Sequence, residues 1–175
     1  MNEQLAEFIM SPSRELYLEL RDVVIASEFY APYSDEFETA VRLFEEENFD
    51  DARETIQNGM PNLILSPRAH HLLSYLHFKA GDKKTAQFEF AFSEACLKGI
   101  LATGDGSIEK PYLVTRTSDE YDVLEHLGKE LTRQALAESE DRRLDVMTCR
   151  DGATLSFDIT DAYDQLSQSF DDPFE

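Results

Sequence analysis

The chain has 175 residues, is 42% hydrophobic and carries a formal net charge of −20 at pH 7. This length and hydrophobic content predict one globular domain that buries a core of its own. The acidic excess argues against binding to a phosphate backbone, which needs a basic protein face. Nucleic acid is therefore not an expected partner.

The N-terminal segment and the cysteines indicate the expected compartment. The first ten residues contain Glu3 and Glu7 but no lysine or arginine, so they lack the basic start of a secretory signal. No stretch approaches the roughly 18 apolar residues of a membrane span. Cys96 and Cys149 lie far apart without metal-ligand spacing, which favours reduced, buried thiols. These features predict a cytoplasmic protein with no membrane partner.

The N-terminal half reads as helices with clear start and stop signals. Ser11-Pro12 and Ser66-Pro67 each offer a hydroxyl N-cap followed by proline, and the acids after Ser34 and Ser118 suit a first turn. A helix over residues 11–27 is expected to cap two helical hairpins. The hairpin helices are predicted at residues 35–47, 49–58, 67–80 and 83–102, with Gly59 and Gly81 as stops.

The two hairpins share a register. Ala52 and Ala86, each inside the second helix of its hairpin, lie 34 positions apart. In that frame Ser74 takes the other small position of the second copy and Phe90 its aromatic position. The chain therefore resembles the tetratricopeptide repeat family, and the resemblance implies paired antiparallel helices with a concave binding face. A generic pair of helical hairpins is the alternative.

The C-terminal half predicts a small antiparallel sheet packed on the helices, so the expected fold class is mainly α (α+β). A glycine-rich loop precedes a strand at residues 112–115, and residues 119–139 read as one or two helices interrupted at Gly128. Asp151-Gly152 between alternating runs predicts a hairpin of strands 144–149 and 153–159. Residues 161–167 read as a helix and residues 169–175 as a loose tail.

A second resemblance covers residues 91–159. The runs TGDGSIEKPYLVTRTSDEYDVL and LSFDIT look like part of an uncharacterised bacterial family of unknown function that has tetratricopeptide-like helices. This resemblance implies a fold and no chemistry. The expected organisation is a single domain, 1–175, with hairpin repeats at 11–102, packed loops, strands and helices at 103–168, and a tail at 169–175.

Candidate catalytic and metal-binding residues are sparse. His70, His71 and His77 share one helix, but that helix has no acid and lacks the HExxH spacing of helical zinc sites. The GDG loop lacks the lysine and following helix of a phosphate cradle. We therefore expect no cofactor and no enzyme activity. The alternative is a metal-dependent hydrolase whose carboxylate cluster is built from Asp105, Glu109 and Asp158, joined by Asp161.

The charge distribution and the repeat frame together predict a binding face. Residues 55–100 contain five basic and three acidic side chains, so this hairpin has a net charge of +2 inside an acidic chain. The resemblance implies that Ser34, Val41 and Glu45 face the groove together with the predicted binding residues. Those binding residues are Phe37, Phe44, Arg68, His71, Tyr75, Phe78 and Lys79.

The predicted function is a non-enzymatic protein-protein interaction or scaffold module. Its expected partner is a protein or peptide, such as an acidic segment with aromatic residues, and the chain's own tail at residues 169–175 fits that description. Two alternatives remain at this stage. The groove could be core that is covered by residues 1–27 or by the sheet, or the acidic surface could mimic nucleic acid toward a basic protein.

Overall fold

The computed structural model describes residues 2–60, 62–139 and 141–171, which form eight helices and four strands. The predicted α+β class is therefore confirmed. The helices are α1 (Asn2–Met10), α2 (Arg14–Ile25), α3 (Glu36–Glu45), α4 (Phe49–Asn58), α5 (Pro67–Lys79), α6 (Lys83–Thr103), α7 (Ser118–His126) and α8 (Thr160–Asp171). The strands are β1 (Tyr112–Leu113), β2 (Leu131–Ser139), β3 (Arg142–Cys149) and β4 (Thr154–Asp158).

Two helical hairpins form the centre of the N-terminal half, because α3 packs on α4 and α5 packs on α6. The helix bounds agree with the predicted ones to within two residues. Ala52 and Ala86 are both buried, as expected of small residues that let two helices approach closely. A compact apolar cluster joins the hairpins. It comprises Ala40, Ala52, Ile56, Leu63, Ala69, Leu73 and Leu76.

We expect Ala52→Leu to destabilise the protein. Ala52 is 0% exposed within this cluster, so three additional heavy atoms would force neighbouring side chains or α3 to move. Overpacking of this kind costs roughly 1–3 kcal/mol, which should appear as a lower melting temperature. Ala91→Leu is the matched control, since Ala91 is exposed in α6 and leucine has room there. Equal melting of the two variants would contradict this packing.

The observed starts of α5 and α2 can be compared with the predicted N-caps at Ser66 and Ser11. Ser66 occupies the N-cap position of α5 and Pro67 is the first residue of the helix, as predicted, but the Ser66 hydroxyl makes no capping hydrogen bond. The prediction for Ser11 is wrong, because Ser13 caps α2 by accepting a hydrogen bond from the backbone N–H of Leu16 at 3.2 Å. Residues 2–10 form the separate helix α1, which the sequence analysis did not predict.

The sheet has four strands in the order β1-β4-β3-β2. The hairpin of β3 and β4 is confirmed, and Gly152 adopts a φ of 84° in its turn, a conformation that favours glycine. The prediction of a purely antiparallel sheet of two or three strands is wrong. Strand β1 pairs in parallel with β4, with Tyr112 opposite Phe157.

The prediction of a helix over residues 119–139 is correct only for its first part. Helix α7 ends at His126, and Gly128 reverses the chain with a φ of 63°. Residues 131–139 are strand β2, which pairs with β3 at the edge of the sheet. Its leucine, alanine, arginine and glutamine residues favour a helix intrinsically. Pairing with β3 overrides that preference, as tertiary contacts often do.

A second core lies between the sheet and helices α1, α2, α6 and α7. Phe8 and Tyr17 are fully buried there, and the Tyr17 hydroxyl donates to the backbone oxygen of Leu113 at 3.0 Å. Arg21 ties α2 to the C-terminal half, since its guanidinium donates to the Val114 oxygen and to Asp161 at 2.6 Å. Helices α1 and α2 thus contact α6 on the side that also supports the sheet.

Candidate functional site

A groove of about 540 Å³ lies between the two hairpins and α7. Helix α3 forms one wall, α5 and α6 form the floor, and α7 forms the opposite wall. We call it the interhairpin groove. Its lining residues are Phe37, Val41, Phe44, Glu45, Pro67, Arg68, His71, Leu72, Tyr75, Phe90, Ser93, Glu94, Leu97, Asp122, Glu125 and His126.

Several aromatic rings contribute to the lining of the groove. Phe44 and Tyr75 meet edge to face, with ring centroids 5.4 Å apart, and this contact joins α3 to α5. His71 and Phe90 face each other at 6.2 Å across α5 and α6. Tyr75 is 44% exposed and Phe90 is 49% exposed, so these rings remain open to solvent. Open aromatic surface of this kind is typical of binding sites.

A salt bridge fixes the α7 wall to the floor. The Arg68 guanidinium donates to both carboxylate oxygens of Asp122, at 2.9 and 3.1 Å, and to the backbone oxygen of Ser118 at 2.8 Å. The same guanidinium lies over the Phe37 ring, 5.4 Å from its centroid. Burial raises the pKa of Asp122, and the Arg68 pair offsets part of that rise. Arg68 is thus a structural cation that joins three helices.

A second cavity of about 420 Å³ continues the groove along the α5–α6 hairpin. We call it the hairpin pocket. The two cavities share His71, Tyr75 and Phe90. Phe78, which is 60% exposed, and Lys83 line only the hairpin pocket. Together the cavities form one continuous apolar surface that ends near the turn between α5 and α6.

The structure brings together most of the predicted binding residues. Phe37, Phe44, Arg68, His71 and Tyr75 all line the interhairpin groove, and Phe78 lines the hairpin pocket. Lys79 lines neither cavity, because its ammonium group lies over the rings of Phe49 and Tyr75, at 5.2 and 5.6 Å. Among the groove-facing positions, Val41 and Glu45 are also confirmed as lining residues.

Ser34 does not reach the groove. Its hydroxyl accepts hydrogen bonds from Asn62 at 2.8 Å and from Arg116 at 3.2 Å, and its backbone oxygen accepts from Arg116 at 2.8 Å. Ser34 lies in the connection before α3, where it fixes the hairpin to the C-terminal half. The prediction that Ser34 faces the groove is therefore wrong.

The sequence analysis missed the contributions of α6 and α7 to the lining. Phe90, Glu94 and Leu97 recur at helical spacing along α6, so this stripe could have been read from the sequence. Asp122, Glu125 and His126 carry no comparable signal, because the approach of α7 depends on the long-range pairing of Arg68 with Asp122. The acidic wall of the groove could therefore not be predicted from the sequence.

The groove is not closed by the chain's own N-terminal segment or sheet. Among the described residues, its lining includes none from α1, α2 or the four strands. The alternative that residues 1–27 or the sheet cover it is therefore not supported. The predicted docking of the tail at residues 169–175 lies mostly outside the described residues. The structure does not describe residues 172–175 or the side chains of residues 168–171.

The three histidines of α5 have separate surroundings. His70 is 2% exposed, and its Nδ1 lies 2.6 Å from a Glu89 carboxylate oxygen while its Nε2 lies 2.9 Å from the Ile64 backbone oxygen. The imidazole also stacks on Phe92, with centroids 3.8 Å apart. His70 therefore joins α5 to α6 through a buried polar contact.

Three of the four carboxylates of the hydrolase alternative, those of Asp105, Asp158 and Asp161, have individual structural partners. Asp105 accepts from the backbone N–H of Ser107 at 3.0 Å, Asp158 accepts from the Thr160 hydroxyl at 2.6 Å, and Asp161 pairs with Arg21. Within the described residues, no three histidine, cysteine, aspartate or glutamate side chains form a group suited to a metal. Asp105, Glu109, Asp158 and Asp161, which are all described, therefore do not form such a metal-binding group.

A different set of acids is buried where α7 meets the sheet. Glu120 is fully buried, and in its protonated form its carboxyl group donates a hydrogen bond to the Asp145 carboxylate. Burial, followed by the nearby carboxylates of Asp145 and Asp119, raises the pKa of Glu120 to about 9. Burial also raises the pKa of Asp119 to about 7. Neither described cavity reaches Glu120, so these acids bear on stability and not on the groove lining.

Comparisons with protein-family models, with curated proteins and with solved structures found no match to this chain. Separately, none of the helices in the described part of the chain has the length and apolar character that a membrane crossing requires. The function therefore has to be argued from the geometry of the site.

Proposed function

We propose that the chain is a non-enzymatic interaction module whose interhairpin groove binds a segment of a partner protein, as tetratricopeptide-like hairpins do. The observation that carries this proposal is the open aromatic floor. Tyr75 and Phe90 stay about half exposed although they border a groove of about 540 Å³. Exposed aromatic surface rimmed by polar side chains is the usual character of a protein-binding site.

The dimensions and rigidity of the groove support this function. The hairpin pocket extends the groove along α5 and α6, so a peptide of several residues can lie along both cavities. Phe44, Tyr75 and Arg68 are held by ring contacts and by the salt bridge to Asp122. A binding surface that is ordered before the partner arrives loses less entropy on binding. The walls can therefore serve as a preformed docking site.

Selection of peptides tests the proposal. A displayed library of random 12-residue peptides is enriched on the immobilised full chain, and enriched peptides are measured by fluorescence anisotropy. We expect Tyr75→Ala to weaken binding about tenfold or more, since a central aromatic residue contributes strongly to an interface. Phe29→Ala is the matched control, because Phe29 is 61% exposed and lines neither cavity.

Thermal melting of both variants confirms that they remain folded. Failure to enrich any peptide above the level on an unrelated acidic protein would contradict the proposal. So would peptides that bind the parent, Tyr75→Ala and Phe29→Ala equally well, because they would occupy another surface.

A further inference from the structure

The charges of the interhairpin groove differ from those of the α5–α6 hairpin as a whole. Four carboxylates and one guanidinium line the groove, so its net charge is −3 when its two histidines are neutral. The carboxylates belong to different helices and surround the aromatic floor. They are Glu45 from α3, Glu94 from α6, and Asp122 and Glu125 from α7.

The one guanidinium in the lining, that of Arg68, already makes contacts within the chain. Arg68 is bonded to Asp122 and to the Ser118 oxygen, and it covers the Phe37 ring. A partner's carboxylate would have to displace these contacts in order to pair with Arg68. The expected partner, an acidic segment with aromatic residues, is therefore poorly matched to this groove.

The other three carboxylates of the groove, those of Glu45, Glu94 and Glu125, are available to bind a partner. Within the described residues, neither an ion pair nor a side-chain hydrogen bond engages Glu45, Glu94 or Glu125. Glu45 and Glu125 are exposed and Glu94 is half-buried, so all three can reach a bound segment. Negatively charged groups around one groove attract cations and repel anions. This favours positively charged partners and speeds their association.

The aromatic floor suits cationic side chains as well as apolar ones. Within this same hairpin region, the Arg68 guanidinium lies over Phe37, and the Lys79 ammonium group lies over Phe49 and Tyr75. These contacts show that the local rings present their faces to cations. Tyr75 already carries the Lys79 ammonium group, so a partner's lysine or arginine would lie beside Phe44 or Phe90 and pair with a rim carboxylate.

We infer that the interhairpin groove selects a basic segment of a partner protein, in which lysine or arginine residues flank an apolar anchor. The anchor packs on the Phe44, Tyr75 and Phe90 rings, and the cations pair with Glu45, Glu94 and Glu125. This inference rests on the proposed function and adds the chemistry of the partner. It also disfavours the chain's own acidic tail as the occupant.

The test neutralises the rim while keeping side-chain shape. Peptides are enriched on the full chain from the random library, and their binding is compared for the parent and the triple variant Glu45→Gln, Glu94→Gln, Glu125→Gln. We expect the enriched peptides to be net positive, with lysine or arginine near an apolar residue. We expect the triple variant to bind them about tenfold or more weakly and with a reduced dependence on salt.

A matched triple variant separates the local effect from the general charge of the chain. Glu28→Gln, Glu54→Gln and Glu109→Gln remove the same charge from exposed positions outside both cavities. We expect this control to change affinity less than threefold, because solvent and salt screen distant charges. An equal loss in both triple variants would overturn the inference, since it would show attraction to the acidic surface in general.

The outcomes distinguish this inference from the proposed function. Peptides that bind in a Tyr75-dependent way but are neutral or acidic, or that ignore the loss of the rim carboxylates, would overturn the inference and leave the groove as a docking site. The absence of any Tyr75-dependent peptide would overturn both. Basic peptides that lose affinity in both Tyr75→Ala and the rim variant would support both.

Discussion

Glu120→Gln is expected to stabilise the protein at pH 8 and to flatten the dependence of its stability on pH. In the folded chain, burial and the nearby carboxylates raise the pKa of Glu120 from an ordinary 4.5 to about 9. The folded state therefore holds a proton that the unfolded state releases above pH 4.5. By linkage, this proton's contribution to stability is complete below the unfolded pKa and is lost as the pH rises toward the folded pKa.

The expected loss of unfolding free energy follows from the pH range between the unfolded and folded pKa values of Glu120. Between pH 5 and pH 8, the parent should lose on the order of 2–4 kcal/mol of unfolding free energy through Glu120, measured by urea denaturation at several pH values. Glutamine keeps the shape of the side chain and does not titrate, so the variant should match the parent near pH 5 and exceed it at pH 8. Asp119, with a pKa raised to about 7 by burial, leaves a smaller slope in both proteins.

Glu125→Gln is the matched control for this experiment. Glu125 lies on the same helix but is exposed, and its replacement changes the net charge equally. We expect the control to retain the slope of the parent. A Glu120→Gln variant with that same slope would contradict the assignment of the buried proton to Glu120.

Gly104→Ala is expected to cause the largest loss of stability among single-methyl changes in the GDG loop. A Cβ atom on Gly104 would overlap the backbone carbonyl oxygens of Lys110 and Pro111. Backbone at this point cannot simply rotate away, because the Lys110 oxygen accepts the N–H groups of Asp105 and Gly106 at 3.0 and 3.1 Å. We expect a cost of at least about 3 kcal/mol, or about 6–12 °C in melting temperature.

Gly128→Ala provides the comparison for that variant. Gly128 has a φ of 63°, which strains an alanine, but open space surrounds its Cβ position. The expected cost is about 1–2 kcal/mol. A melting temperature of Gly104→Ala equal to or higher than that of Gly128→Ala would contradict the close approach of Gly104 to the Lys110 and Pro111 backbone.

The helices of the groove floor could be predicted because their signals are local. Ser66-Pro67 marks the start of α5, and the spacing of Ala52 and Ala86 marks the two buried helix contacts. The groove-facing positions of the aromatic residues in α3 and α5 were implied by the resemblance to tetratricopeptide repeats. Phe37, Phe44 and Tyr75 therefore lie in the groove as predicted.

The acidic wall and the edge strand could not be predicted because they depend on long-range contacts. The net charge of +2 over residues 55–100 pointed to an acidic partner, but Arg68 pairs with Asp122 from a helix 54 residues away. Likewise, residues 131–139 favour a helix by composition and form a strand only through pairing with β3. In both cases a distant partner outweighs the local pattern.

The most direct test of the proposed docking site is the location of a bound peptide. The ¹⁵N-labelled full chain is titrated with an enriched basic peptide, and the amide chemical shifts are followed by NMR. We predict that the largest changes fall on residues of the groove walls and floor, including Val41, His71, Tyr75, Glu94 and Glu125. Changes concentrated on β2, β3 or α8, with the groove residues unaffected, would contradict the account.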